Sequence, residues 1–206
     1  MHEIRATLTK KKQAKIILFV LDGVGGIPNP KLTELEAAKT PFLDKITKKS
    51  ETGCHIPILS GLTPGSGAAH LALFGYDPLR YDIGRGILEA LGSDVSVSEK
   101  DVLIRGNFST VKNVGSKIII DDRRAGRITT DTNKRIIKLL QSKINKIDGV
   151  GVEFTSGLEH RFVCKLKFKN KLNSSEVYIL DTDPEEVGVA PLIPKNLNQK
   201  SQKVSK

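Results

Sequence analysis

Lys15-Ile16-Ile17-Leu18-Phe19-Val20-Leu21 is an unbroken apolar run, the pattern of a strand buried on both faces as in a parallel sheet. It stops at Asp22-Gly23-Val24-Gly25-Gly26, a turn at the strand's carboxyl end, where open α/β sheets place their ligands. Thr33 to Ala38 opens a short helix, and Thr40 is placed to cap another with Pro41 at its first position. Gly53 to Ile58 has the composition of a second strand. Ser66 follows in a loop, Ala68 to Phe74 continues as a helix, and a helical turn is expected around Ile87 to Leu91.

From about Val102 the texture changes. Ile104 to Val111, Lys117 to Asp121, Gly151 to Phe154, His160 to Leu166 and Val177 to Leu180 have strand patterns. Thr130 to Ile147 is amphipathic, with Ile136, Ile137, Leu139, Leu140 and Ile144 inward and lysines outward. Strands interleaved with one helix make a mixed α/β unit distinct from the first hundred residues. The last dozen residues, Lys195 to Lys206, hold almost nothing apolar and are expected to be disordered.

The chain has 206 residues, 38% hydrophobic and 27% charged, an ordinary balance for a globular protein with one good core or two small ones. No apolar run approaches the ~20 residues of a membrane span. Lys10-Lys11-Lys12 before an apolar run looks superficially like a leader, but the run is too short and has no cleavage site. Two cysteines, Cys54 and Cys164, make neither a disulfide framework nor a metal cluster, which points to a reducing cytoplasm. The net charge of +10 fits nucleic acid, anionic membrane or a small anionic substrate. With 5% aromatics and no Trp, nothing beyond charge supports a nucleic-acid binder, and the plain reading is a solvated lysine-rich surface.

Two features suggest chemistry. Thr63-Pro64-Gly65-Ser66-Gly67 sets a serine between glycines with little to block a large electrophile, and Asp22 sits at a strand tip as a hard ligand for a divalent ion. Together they suggest a metal-activated serine that takes up a phosphoryl or sulfuryl group. Taken alone, an Asp-Gly after a strand is more often a turn. Asp122 to Arg127 places Arg123, Arg124 and Arg127 at a strand end. Guanidinium groups pair bidentately with carboxylate and phosphate, though such a cluster also reads as a solvated turn.

Phe19 to Gly23, Leu35 to Pro41, Pro64-Gly65-Ser66 and His70 to Pro78 closely resemble the archaeal-type, cofactor-independent phosphoglycerate mutases of the alkaline phosphatase superfamily. So do Gly84-Arg85-Gly86, Leu88-Glu89-Ala90, Asn107-Phe108, Asp122 to Ile128, His160-Arg161 and Thr182-Asp183-Pro184, in family order along nearly the whole chain. The resemblance implies interconversion of 3- and 2-phosphoglycerate in glycolysis through a phosphoserine at Ser66. Two divalent ions (manganese, zinc or magnesium) would flank it, with Asp22 and Ser66 as ligands. Arg123, Arg124 and Arg127 become a substrate clamp, with Arg85, Arg161, His160 and His70 as further substrate-binding candidates. His70, one helical turn after Ser66, also reads as a capping or core histidine. Nearest rivals are another phosphotransferase of the superfamily, such as a homoserine kinase, and an inactive anion-binding fragment.

The implied fold is α/β: part of an alkaline-phosphatase-like domain with a mainly parallel sheet over residues 1–104, a mixed α/β inserted domain over 105–190, and a basic tail over 191–206. The inserted domain would close over the substrate and exclude water. Two departures stand out. Gly67 and Ala68 replace an acidic and a hydroxyl residue common after the family's serine. There is no Asp-His pair, and only four histidines, so the second half of the metal site is expected from a second chain or from self-association. Expected partners are a small phosphorylated substrate and that completing chain, with neither nucleic acid nor membrane.

Overall fold

The computed structural model describes residues 7–21, 23–28, 31–62, 65–81, 83–173 and 179–195. The chain divides into two compact units, Met1–Arg80 and Tyr81–Lys206.

Among the described residues the first unit carries the short helices α1 (Glu34–Ala37), α2 (Pro41–Thr47) and α3 (Ser66–Leu73). Thr33 opens α1 with a capping box: its hydroxyl accepts the Glu36 N–H while the Glu36 carboxylate accepts the Thr33 N–H. Pro41 starts α2 as expected, but Thr40 makes no backbone cap and its hydroxyl donates to Asp44 Oδ1 at 2.9 Å. Neither Lys15–Leu21 nor Gly53–Ile58 forms the strand its composition suggests. A strand buried on both faces needs paired neighbours and a covering layer on each side. The described residues of this unit supply neither: none is buried, and Ile16, Ile17 and Phe19 are 92%, 88% and 80% exposed.

The second unit holds a four-stranded antiparallel sheet in the order β1 (Asp101–Asn107), β6 (Arg161–Lys167), β5 (Val150–Ser156), β4 (Lys146–Ile147). A separate hairpin pairs β2 (Thr110–Val114) with β3 (Lys117–Asp122). Helix α4 (Arg85–Gly92) packs on β1 and α5 (Thr130–Lys143) on β5. Residues 81–104 therefore fold with this unit. Gly86 explains the close approach of α4, because a Cβ there would overlap the Leu103 carbonyl. Thr129 caps α5 by accepting the Thr132 N–H. Its predicted run to Ile147 stops at Lys143, and Lys146–Ile147 instead pairs with β5.

Val163, Ala90, Val152, Ile120 and Ile137 form the buried apolar core. Phe162 stacks with Phe108 at 4.7 Å between centroids and meets Phe154 edge-on at 6.3 Å. The chain beyond β6 returns to the hairpin: Ile120 N–H donates to the Val189 carbonyl and Gly188 N–H to the Ile120 carbonyl. Of the strand expected at Val177 to Leu180, residues 177 and 178 lie outside the described residues, and Leu180 N–H bonds the Lys195 carbonyl. Of the basic tail expected over 191–206, residues 196–206 are likewise outside them, whereas Leu192 N–H donates to the Thr182 carbonyl and the Lys195 carbonyl accepts from Leu180, so the chain is tied down as far as Lys195. Among the described residues no helix is long and apolar enough to cross a membrane, and both cysteines are unpaired.

Candidate functional site

Strand register builds the site. Asn107 lies directly opposite Arg161, and Arg105 opposite Val163, across the β1–β6 pair. Directly opposed residues share a face and alternate residues repeat it, so Arg105, Asn107 and Arg161 emerge together at one end of the sheet. The Glu89 carboxylate, 3.5 Å from Arg105 Nε, holds α4 over that face, and Arg85 comes from its first turn.

Arg123 and Arg124 enter from the end of β3. The Asp122 carboxylate accepts the backbone N–H groups of Arg124 (2.8 Å) and Gly126 (2.6 Å), which hold its pKa below the ordinary range. This bracket supports a left-handed turn at Ala125, Gly126 and Arg127, with φ of 48°, 62° and 54°. Two of those residues carry a Cβ, so the turn costs on the order of 1–2 kcal/mol for each of them. It sends Arg127 toward Glu159 at 3.6 Å, with 59% of its side chain exposed.

Arg85, Arg105, Asn107, Arg123, Arg124, His160, Arg161 and Asp183 line one pocket of about 160 Å³. That is below the ~300–1,000 Å³ of sites for drug-sized ligands and suits a small anion. Arg123 is partly committed within it. Its Nε and Nη2 donate to the two Asp183 carboxylate oxygens, both at 2.8 Å, and Nη1 donates to the Glu185 carbonyl at 3.0 Å. This fork pulls the Asp183 pKa down, against a smaller opposing effect of burial. Burial, then the charge of Arg161, lowers the Arg105 pKa, with Glu89 acting the other way.

His160 and Arg161 carry the clearest sign of a ligand. His160 is 4% exposed. Its Nδ1 and the Arg161 Nε are buried polar atoms with no hydrogen-bond partner among the described residues. An orphaned buried donor is costly, and the Arg161 Nε–H beside this cationic pocket fits an anionic guest, while His160 Nδ1, which donates or accepts according to tautomer, lies 3.8 Å from Glu159 Oε2.

Burial, then the neighbouring Arg161 charge, holds the His160 pKa below its ordinary value, with Glu159 opposing. The unfolded histidine titrates near ~6.5. As pH falls through that value, the unfolded chain takes up a proton that native His160 refuses, and stability drops until the lower native pKa is passed. Melting temperatures in anion-free buffer should therefore fall between about pH 7 and 5.5. His160→Gln should flatten this slope; an unchanged slope would remove His160 as its source.

The sequence candidates thus separate. Arg85, Arg123, Arg124, Arg161 and His160 converge, whereas Arg127 turns aside to Glu159. Arg105, Asn107 and Asp183 join the pocket although residue patterns alone had not singled them out as site residues. Ser66 and His70 belong to the first unit. Ser66 opens α3 behind Gly65, is exposed, and its carbonyl is 2.6 Å from His70 Nδ1. His70 therefore braces the first turn of α3. Asp22 lies outside the described residues. Among the described residues no three His, Cys, Asp or Glu side chains gather as metal ligands.

Residues 47–206 match the family model for 2,3-bisphosphoglycerate-independent phosphoglycerate mutase. A probable mutase of that name from Aquifex aeolicus is 52% identical over 204 residues, covering 98% of this chain and 50% of that protein. One from Thermosipho melanesiensis is 46% identical over 206 residues, covering all of this chain and 49% of its own length. Among solved structures, a cofactor-independent phosphoglycerate mutase from Thermoplasma acidophilum is 30% identical with a TM-score of 0.49, over 72% of this chain and 37% of that one. The chain spans about half the length of the curated relatives it matches. On the family match and these identities, it belongs to the 2,3-bisphosphoglycerate-independent phosphoglycerate mutase family.

Proposed function

We propose that this chain supplies the nucleophile and the anion-clamping domain of an enzyme that interconverts 3- and 2-phosphoglycerate in glycolysis. The observation that carries the proposal is the guanidinium pocket with its two buried polar atoms, His160 Nδ1 and Arg161 Nε, that have no hydrogen-bond partner among the described residues. A phosphoglycerate bears a carboxylate and a phosphate, and guanidiniums pair with each in a planar fork. Arg85, Arg105, Arg124 and Arg161 would bind the anion. Arg123 keeps its fork on Asp183 and so stiffens the pocket wall.

In the proposed reaction Ser66 Oγ attacks phosphorus, and the bond from phosphorus to the 3-oxygen of glycerate breaks. The 2-hydroxyl then attacks the phosphoserine, which frees Ser66, and the proton lost by each attacking hydroxyl is matched by one gained by each departing oxygen. Gly65 gives α3 no side-chain cap, so its first-turn N–H groups are available to phosphoryl oxygens. A second unit that closes over the substrate would exclude water and favour transfer over hydrolysis.

Two divalent ions, manganese, zinc or magnesium, belong to the proposal, with Asp22 and Ser66 as the ligands this chain offers. Among the described residues no three His, Cys, Asp or Glu side chains come together, so the ions would need ligands beyond these two. The remaining ligands would come from outside these 206 residues, whether from further chain, a second chain or a second copy. That partner would also cover the apolar Lys15–Leu21 run, giving it the neighbours of a mainly parallel, alkaline-phosphatase-like sheet. Unpaired cysteines are consistent with a cytoplasmic setting.

The test is formation of 2-phosphoglycerate from 3-phosphoglycerate with manganese, by this chain alone and with the C-terminal half of a relative added. Turnover in either arm is expected. No turnover in both, with no thermal stabilisation by 3-phosphoglycerate, would overturn the proposal.

A further inference from the structure

Asn133 is completely buried in α5. Its Nδ2 donates to two carbonyls at 2.6 Å each, those of Glu159 and Arg161. Those carbonyls flank His160, so one amide grips both sides of the residue that lines the pocket. Only the NH₂ end can do this, since an amide oxygen would repel both acceptors. One turn earlier, Thr130 Oγ1 accepts the Glu159 N–H at 3.1 Å. Glu159 itself is left-handed, with φ of 53°, a conformation disfavoured for a residue with a Cβ. The turn closes through Gly157 N–H on the Arg161 carbonyl and Arg161 N–H on the Leu158 carbonyl. Phe108 N–H donates to the His160 carbonyl at 2.7 Å.

We infer that Asn133, assisted by Thr130, is a positioning residue that clamps the 157–161 turn and so holds the His160 and Arg161 side chains at the anion pocket. The inference deepens the proposed function and rests on it. The side chain is bonded on one side only: Asn133 Oδ1 has no partner among the described residues. The same helix holds a matched comparison. Gln141 donates to the Ile144 and Val152 carbonyls and accepts the Phe154 N–H. It ties α5 to β5 in the same way, away from the pocket.

The experiment is calorimetric binding of 3-phosphoglycerate to the full chain, with inorganic phosphate as a second probe. Asn133→Ser is expected to weaken binding at least tenfold. Gln141→Ala, which loses a similar set of bonds, should leave affinity within twofold while lowering the melting temperature. In a His160→Ala/Arg161→Ala background, Asn133→Ser should add less than twofold, because a residue that acts through those side chains has nothing left to position. If Asn133→Ser does not fold, Thr130→Val is judged by the same limits, and Thr130→Ser should restore affinity. Wild-type-like affinity, or an equal loss with and without His160 and Arg161, overturns the positioning role alone. A wild-type chain that binds neither probe overturns the pocket's proposed function, and the positioning role with it.

Discussion

Ser66→Ala is expected to lower mutase turnover by on the order of 10⁴-fold or more, the scale of loss when a nucleophile that works as part of a unit is deleted. Ser66 is exposed at the start of α3 and no described residue in its unit is buried. The change should therefore leave the melting temperature nearly unmoved. That separates it from a folding defect. Rapid acid quench with 3-phosphoglycerate should trap phosphate on the Ser66 peptide of the wild type and none on the variant. The uncapped first turn of α3 favours a negative charge there. Full activity in Ser66→Ala would remove the covalent route.

How far the site could be read from sequence depended on how its residues are joined. Elements set by local rules were legible: the Thr33 and Pro41 helix starts, the amphipathic α5 and most strands of the second unit. The arginine-rich segment after β3 was legible as a cluster but not in its division of labour. Only the left-handed turn at Ala125 to Arg127 reveals that Arg127 faces Glu159 while Arg123 and Arg124 face the pocket. Arg105 sat inside a run read as a strand, and nothing local shows that antiparallel register sets Asn107 against Arg161. Asp183 is 60 residues from Arg123, and its one signal was the Thr182-Asp183-Pro184 motif. Long-range pairing was the missing information in each case. The same limit explains Lys15–Leu21, whose apolar character specifies a strand only when neighbours are present to pair with it.

Lys165→Met should cost about 3–5 kcal/mol of stability, the usual penalty for leaving one member of a buried ion pair alone. Lys165 shares the sheet face of Val163 and is 7% exposed. Its Nζ donates to the Ser96 carbonyl (2.9 Å) and Ser96 Oγ (3.2 Å), and lies 3.6 Å from Asp101 Oδ2 and 3.7 Å from the half-exposed Glu153 Oε2. The Asp101 side chain is 6% exposed. With Lys165 gone, its carboxylate would keep, among the described residues, the Ser98 N–H at 2.9 Å. Adding Asp101→Asn should recover most of the loss, because the amide oxygen still accepts from Ser98 and the stranded charge is gone. The neighbouring Lys167–Glu153 contact makes the comparison. It is shorter, at 2.7 Å, yet about half of each side chain is exposed, so Lys167→Met should cost under about 1 kcal/mol. Urea unfolding of the three variants decides the matter. Equal losses from Lys165→Met and Lys167→Met would mean that solvent reaches the Lys165 pocket. Separation by several fold would mean that burial, more than the distance between the charges, sets what each pair contributes.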